Sequence, residues 1–406
     1  ALKSCFAIRV VNTSDELEKR ASSNLAIDSI YVEKERDGSV KEGLFKIKLK
    51  DLGKNSSYLE NLSIEIYSRN SKNEPVTISS DVFSVELKKY LDNFMIGNIE
   101  GEYIDNFIHI RMPEGTDISG LSPSFSSRGK VLVNDVEQVS GVSQHSFVKP
   151  VKYTIKTENG EETTYTVFVS NTDMPVVYFK TENKKPITSK NTYLENSVMC
   201  VLNSAYKKNY TKVKIKGRGN SSWEMPKKSF TMKLDKKDEF LGFKKDKTFA
   251  LVANYADKTL IRNEMSYQLG RDILKNMSWN PSTKYVHFFL NDSYEGVYMI
   301  CETVKINESR VNVPNIEDCK NTTEIHKYGF IVEVNDRQDD ICNFITPYGV
   351  KFSMKDPDGE NLSEEIKKYI KNTVINYENV LYSADFNNPV SQNYFYKYFD
   401  TTSFID

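Results

Sequence analysis

Cysteine, histidine and tryptophan are scarce in this chain of 406 residues, with 5, 4 and 2 copies. The cysteines (Cys5, Cys200, Cys301, Cys319, Cys342) form no Cys-x-x-Cys pair and have no clustered histidines beside them, which argues against a zinc site. Their odd number and wide spacing suit free or buried thiols, not a disulfide framework. His109, His145, His287 and His326 are scattered, so none marks a catalytic dyad. No apolar run approaches the ~20 residues of a membrane-spanning helix. Excess charge is also missing: 55 Lys and Arg against 56 Asp and Glu leave a net charge of -1, with no polyelectrolyte signature for nucleic acid. Internal repeats and low-complexity tracts are absent. What remains is a globular composition, 39% hydrophobic and 27% charged, long enough for two or three domains.

Residues 1 to about 173 read as all-β. Period-two alternation recurs at Phe45–Leu49, Leu62–Tyr67, Phe107–Arg111, Tyr153–Thr157 and Tyr165–Val169, the pattern of half-buried strands. Asp37-Gly38, Pro113-Glu-Gly115 and Asn159-Gly160 supply turns, the last between two alternating runs as in a hairpin. Ile108–Leu121 and Ser146–Val167 resemble the small immunoglobulin-like domains of bacterial surface proteins. That resemblance implies a β-sandwich spacer over residues 98–173, with residues 1–97 a further β-rich module.

After the linker Asn171–Pro175 the pattern turns to mixed α and β. Strands are predicted at Val176–Phe179, Thr211–Ile215, Ser229–Leu234, Thr248–Val252, Tyr285–Leu290 and Gly296–Ile300. Ile261, Met265, Leu269 and Ile273 recur every four residues as one helical face. Asn361-Leu-Ser-Glu364 reads as a capping box before a helix whose buried stripe is Leu362, Ile366, Ile370, Val374 and Tyr377.

The chemistry-bearing stretch begins at Lys216. A turn with two glycines and an arginine, Gly217-Arg-Gly-Asn220, precedes a strand entered through Lys227 and Lys228. Glycines admit phosphate to backbone amides and a fixed cation neutralises it, although neither a full Gly-x-Gly-x-x-Gly nor a P-loop is present. Lys228 lies in phase with Phe230, Met232 and Leu234, the side predicted buried; Lys227 and Lys233 have the solvent phase.

Taken in order, Arg218-Gly-Asn-Ser-Ser-Trp223, Lys227-Lys-Ser-Phe230, Ala253-Asn-Tyr-Ala-Asp257, Arg262-Asn263, Leu290–Tyr298, Glu302, Gly329–Val334 and Phe399–Asp406 resemble the CotH family of spore-coat and cell-surface proteins over residues 174–406. The resemblance implies an α+β atypical protein-kinase-like fold that uses ATP with Mg²⁺ or Mn²⁺ to phosphorylate proteins. It assigns Arg218, Gly219 and Asn220 to the phosphate-covering turn and Lys228 to the catalytic lysine on the α- and β-phosphates. Arg262 and Asn263 would reach phosphate or belong to an ion pair at a helix start. Glu302 would receive adenine or ribose, or serve as an interlobe structural carboxylate. Asn335–Asp340 carries carboxylates that suit either a cation or a solvated charge run.

The family's Asn-x-Asp catalytic loop and Trp-Asp-[Tyr/Phe]-Asp segment are not found in their family positions up to Asp406 (Asn171-Thr-Asp173 lies in the linker), so metal ligands are expected beyond that residue, in a longer protein or not at all. The expected setting is extracellular or the cell surface, with a signal peptide already removed. The expected partner is a protein substrate or a surface component. Leu2-Lys-Ser-Cys5 is a lipoprotein box but for its lysine, which leaves lipid or cell-wall anchoring open. A non-catalytic kinase-like domain serving adhesion is the competing expectation.

Overall fold

The computed structural model describes residues 90–274 and 276–405 and, of the first 89, the backbone of strands Ala7–Asn12, Asn24–Leu25, Ile27–Lys34, Val40–Leu49, Leu62–Arg69 and Pro75–Phe83. Cys5, Asp37-Gly38 and the Leu2–Cys5 box lie outside the described residues. The protein is mostly β, and its chain divides into two compact units, Ala1–Thr172 and Asp173–Asp406.

In the first unit, residues 90–172 build a sheet ordered Val136–Glu137, Lys130–Val133, Val151–Lys156, Glu162–Ser170, Phe107–Arg111 and Glu102–Ile104. A second sheet orders Ser124–Ser127, Leu91–Ile96 and Ile99–Glu100. Phe94, Ile108, Ile110, Phe147, Tyr153, Ile155 and Val167 belong to one buried core; Tyr153 and Ile155 alternate with exposed neighbours, whereas Phe107–Ile110 and Tyr165–Ser170 are buried on both faces. Lys156 pairs with Glu162 across the predicted hairpin, and Gly160 takes the turn at φ +80°.

The second unit opens with β1 (Val176–Lys180), β2 (Leu194–Leu202), β3 (Lys208–Arg218), β4 (Ser229–Phe240) and β5 (Phe243–Val252). Helix α1 (Arg262–Asp272) follows, then β6 (Thr283–Leu290) and β7 (Ser293–Glu302). These strands close a barrel in the order β1-β2-β3-β4-β5-β7-β6, sealed by parallel pairing of β1 with β6. Val177, Val213, Phe230, Met232, Phe249, Leu251, Phe288 and Ile300 fill it, all less than 5% exposed. Residues beyond the barrel form a smaller sheet of β8 (Ile331–Val334), β9 (Asn343–Ile345) and β10 (Lys351–Asp356), covered by α2 (Glu364–Leu381).

Leu362, Ile366, Ile370 and Val374 are buried as the stripe requires, whereas Tyr377 is 38% exposed. The cap sits two residues later than the capping-box reading: the Ser363 hydroxyl accepts from the Ile366 amide. Helix α1 forms where the periodicity places it, but its apolar row faces out. Ile261, Met265, Leu269 and Ile273 are 45, 60, 44 and 67% exposed. The helix instead seats Tyr267 on Ala250, Met299 and Cys301 and buries Gly270, so the contact side carries one aromatic ring and a close backbone approach.

Candidate functional site

Cross-strand register decides where each side chain of the β3–β4 hairpin points. Gly217, Phe230, Leu251 and Ile300 make one row over β3, β4, β5 and β7, and the last three belong to the barrel core. The neighbouring row of Lys216, Thr231, Ala250 and Cys301 therefore faces outward. Arg218, paired with Ser229, shares that outward face, and Lys228 lies just before the strand begins.

The two glycines answer to packing. A Cβ on Gly217 would overlap the Trp223 ring, which packs against the barrel core. Gly219 has φ +107°, and a Cβ there would meet the Ser222 hydroxyl. Just after them the 3₁₀ turn Ser221–Trp223 folds back on the hairpin. The Lys228 ammonium donates to the Trp223 carbonyl and lies 5.3 Å from the indole centroid. The Tyr298 hydroxyl donates to the Lys228 carbonyl at 2.7 Å. Lys227, predicted to meet solvent, is half-buried: its ammonium donates to Val297 O at 2.6 Å and stands 4.4 Å from the Tyr298 centroid. Burial holds its pKa below the ordinary lysine value. The chain bends before β4 begins at Ser229, so strand phase does not extend back to Lys227.

On the outward face the Lys216 ammonium stands 4.8 Å over the Tyr193 ring. Its pKa is lowered by burial, then by the positive charges of Lys233 and Arg218. The charge of Arg218 also reaches Tyr193, Tyr267 and Cys301. Burial pushes the Cys301 thiol up to about 11, which removes it as a nucleophile near neutral pH.

Arg262 and Asn263 open α1, and the segment before them builds its N-terminus. The Asp257 carboxylate accepts from the Arg262 amide at 2.9 Å and from Thr259 N and Oγ1 at 3.0 and 2.6 Å. These bonds depress the Asp257 pKa, the Thr259 hydroxyl most of all. The Arg262 side chain is 82% exposed and 3.7 Å from Asp257 Oδ1. Asn263 Nδ2 donates to Asn254 Oδ1 at 2.8 Å. Protein kinases pair a strand lysine with a helix glutamate; here Glu264 is taken by Arg271 Nη2 at 2.9 Å and by the Thr283 hydroxyl.

Glu302 faces inward at the far end of β7 and is 5% exposed. Its Oε2 accepts from Ser282 N at 2.9 Å, and Oε1 lies 4.0 Å from Arg310 Nε. Arg310, 3% exposed, donates to Thr303 O, Thr303 Oγ1 and Thr248 O at 2.7, 2.6 and 2.8 Å. Asp246, fully buried, stands 3.6 Å from Arg310 and accepts from Lys247 N, Thr248 N and Asn307 Nδ2. Burial alone would raise the Asp246 pKa, but the amide of Thr248, then Arg310 and Lys305, bring it below the ordinary value. This ionic group was not legible in advance, because Asp246, Glu302 and Arg310 are 56 and 64 residues from first to second and from first to last.

In the 335–340 run, Asn335 Nδ2 bonds Asp339, Asp340 and Ser353, and Lys355 pairs with Asp340 at 3.0 Å and Glu333 at 2.8 Å. Among the described residues no group of three or more His, Cys, Asp or Glu is placed to hold a metal ion. The structure thus joins Arg218 to Lys216, Lys233 and Tyr267, and keeps Lys228, Arg262, Asn263 and Glu302 in separate bonding networks. The missed cations Lys216 and Lys233 carried a readable signal, the outward phase they share with Arg218.

The last four barrel strands, the helices and the smaller sheet lie in the stretch that a family model recognises: residues 215–406 match the CotH kinase protein family. In the first unit, residues 91–169 match the family described as SGBP, N-terminal. No curated protein matches the chain. Among solved structures, a putative glycoside hydrolase from Bacteroides thetaiotaomicron is 17% identical over 51% of this chain and 60% of its own, at a TM-score of 0.21. The extracellular cadherin domains 1–4 of protocadherin gamma B7 are 12% identical over 57% of this chain and 64% of theirs, at 0.15. The chain thus spans under two thirds of either structure, and likenesses this weak define no fold.

Proposed function

We propose that residues 174–406 are a CotH-like, kinase-like domain that binds ATP and transfers its γ-phosphate to a protein hydroxyl, in an exported or surface-attached protein. The observation that carries this reading is the family match over residues 215–406, which starts at the hairpin whose outward face concentrates cations. Positive charge fixed on strands is preorganised to offset phosphate charge, which is most of what a protein supplies in phosphoryl transfer. Mg²⁺ or Mn²⁺ belongs to this chemistry, but no described carboxylate cluster fits it, so no step is assigned to metal here. The reading is tested by incubating the protein with γ-labelled ATP, Mn²⁺ and a mixture of protein acceptors. Label on serine, threonine or tyrosine that requires the intact hairpin supports it. Nucleotide binding without transfer supports a non-catalytic domain.

A second reading, a surface-binding protein, draws on the first unit. Its match to the SGBP N-terminal family coincides with an open groove of about 880 Å³ whose lining includes Tyr90, Phe125, Arg128, Lys130, Asn159 and Glu161. Retention of the protein by cell-wall or glycan material with no ATP affinity would favour this reading.

A further inference from the structure

The resemblance gives the phosphate-contacting role to Lys228, and the geometry argues for other lysines. The Lys228 ammonium is spent on the Trp223 carbonyl and indole face, where it pins the turn against the barrel. Its carbonyl is held by Tyr298. Moving that ammonium to a ligand would release Trp223 from a packed position.

The outward rows have the opposite character. Lys216 and Arg218 sit two residues apart on β3, and Lys233 lies on β4 opposite Lys214, in the next outward-facing row from Lys216. Lys214 is neutralised by Glu195 at 2.6 Å. Among the described residues Lys216 has only the Tyr193 ring, and the charges acting on it are the two cations Lys233 and Arg218. The other members of these rows, Ser229, Thr231 and Ala250, carry no charge. Three cations gathered with no carboxylate among the described residues, one of them half-buried, repel one another and are stabilised when an anion enters.

We propose that Lys216, Arg218 and Lys233, on the outward face of the β3–β4 hairpin, seat the phosphate chain of the nucleotide, and that Lys228 is a positioning residue holding the turn. This inference rests on the ATP reading for the identity of the ligand. Its physical core, a seat for a linear polyphosphate, stands without it.

The test titrates ATP, and separately inorganic triphosphate, into the 406-residue protein and into Lys216→Met, Lys233→Gln and Lys228→Met, with a thermal melt of each. A charge-assisted contact predicts that Lys216→Met weakens both ligands by about tenfold or more. Lys233→Gln, at an exposed position, weakens them severalfold, and both variants keep or raise the melting temperature because like-charge repulsion is relieved. Lys228→Met lowers the melting temperature and leaves the affinity of the folded protein within about threefold. Loss of affinity in Lys228→Met with none in Lys216→Met or Lys233→Gln overturns the assignment. Triphosphate binding that depends on Lys216, with no preference for ATP, keeps the seat and defeats the ATP reading. No binding of either probe by the parent protein defeats both.

Discussion

Removing the Arg310 guanidinium is the severest single perturbation the second unit offers. The side chain is fully enclosed between Asp246 and Glu302, at 3.6 and 4.0 Å, and 5.5 Å from the Phe249 ring. Arg310→Met preserves much of the packing volume but leaves buried Glu302 without its cation, Asp246 with only Lys305 at 3.9 Å, and three oxygens on Thr248 and Thr303 without their donors. Breaking a buried pair from one side costs about 3–5 kcal/mol. For a unit of this size each kcal/mol moves the melting temperature by about 2–4 °C, so a fall of roughly 6–20 °C is expected. Trp223 and Trp279 both belong to this unit, so tryptophan fluorescence follows its unfolding alone.

Acid makes the test sharper. The depressed Asp246 pKa means its ionised form contributes stability above the unfolded value of about 3.9, lost as pH falls through the lower folded value. Without Arg310 one cause of the depression is gone, and burial, which favours the neutral acid, is opposed only by the Thr248 and Lys247 amides and Lys305, so the carboxyl protonates at higher pH than in the parent. The deficit of Arg310→Met should therefore narrow between pH 7 and pH 4. A loss below about 1 kcal/mol, or a deficit independent of pH, would refute the claim that this network is electrostatic.

Gly217→Ala should cost about 1–3 kcal/mol and shift tryptophan emission to the red, because the new methyl displaces the Trp223 ring from the barrel; unchanged emission would contradict that packing. Met265→Ala, on the exposed row of α1, should stay within about 0.5 kcal/mol of the parent in urea melts, whereas Ile370→Ala, on α2, should lose about 2–5 kcal/mol. Burial lowers the His287 pKa to about 4, so the unfolded chain binds a proton between pH 6.5 and 4 that the folded protein does not. Stability should fall with pH across that window, and His287→Phe should flatten the slope; an unaltered slope would place His287 in solvent.

Local alternation made most strands readable, since Phe230, Met232 and Leu234 are apolar because they line the barrel. Closure of that barrel was not, because β1 meets β6 across roughly a hundred residues and no local pattern records such a pairing. The α1 row marked the helix but not its contact side: spacing of four reports a face but not which face has a neighbour, and Tyr267 with Gly270 make the contact. At the hairpin the residue types were visible and their causes were not. Gly217 faces the Trp223 ring and the Lys228 ammonium lies on the Trp223 carbonyl, contacts that the local pattern does not record. Lys216 and Lys233 were readable as outward residues, but their convergence with Arg218 required the β3–β4 register.

The measurement that bears most directly on the central claim is calorimetric titration of ATP, with Mn²⁺ present, into the 406-residue protein, repeated with Lys216→Met. Saturable binding by the parent protein that is weakened about tenfold in the variant is the predicted result. Absence of heat from the parent protein, in a preparation whose tryptophan melt shows a folded second unit, would contradict the account.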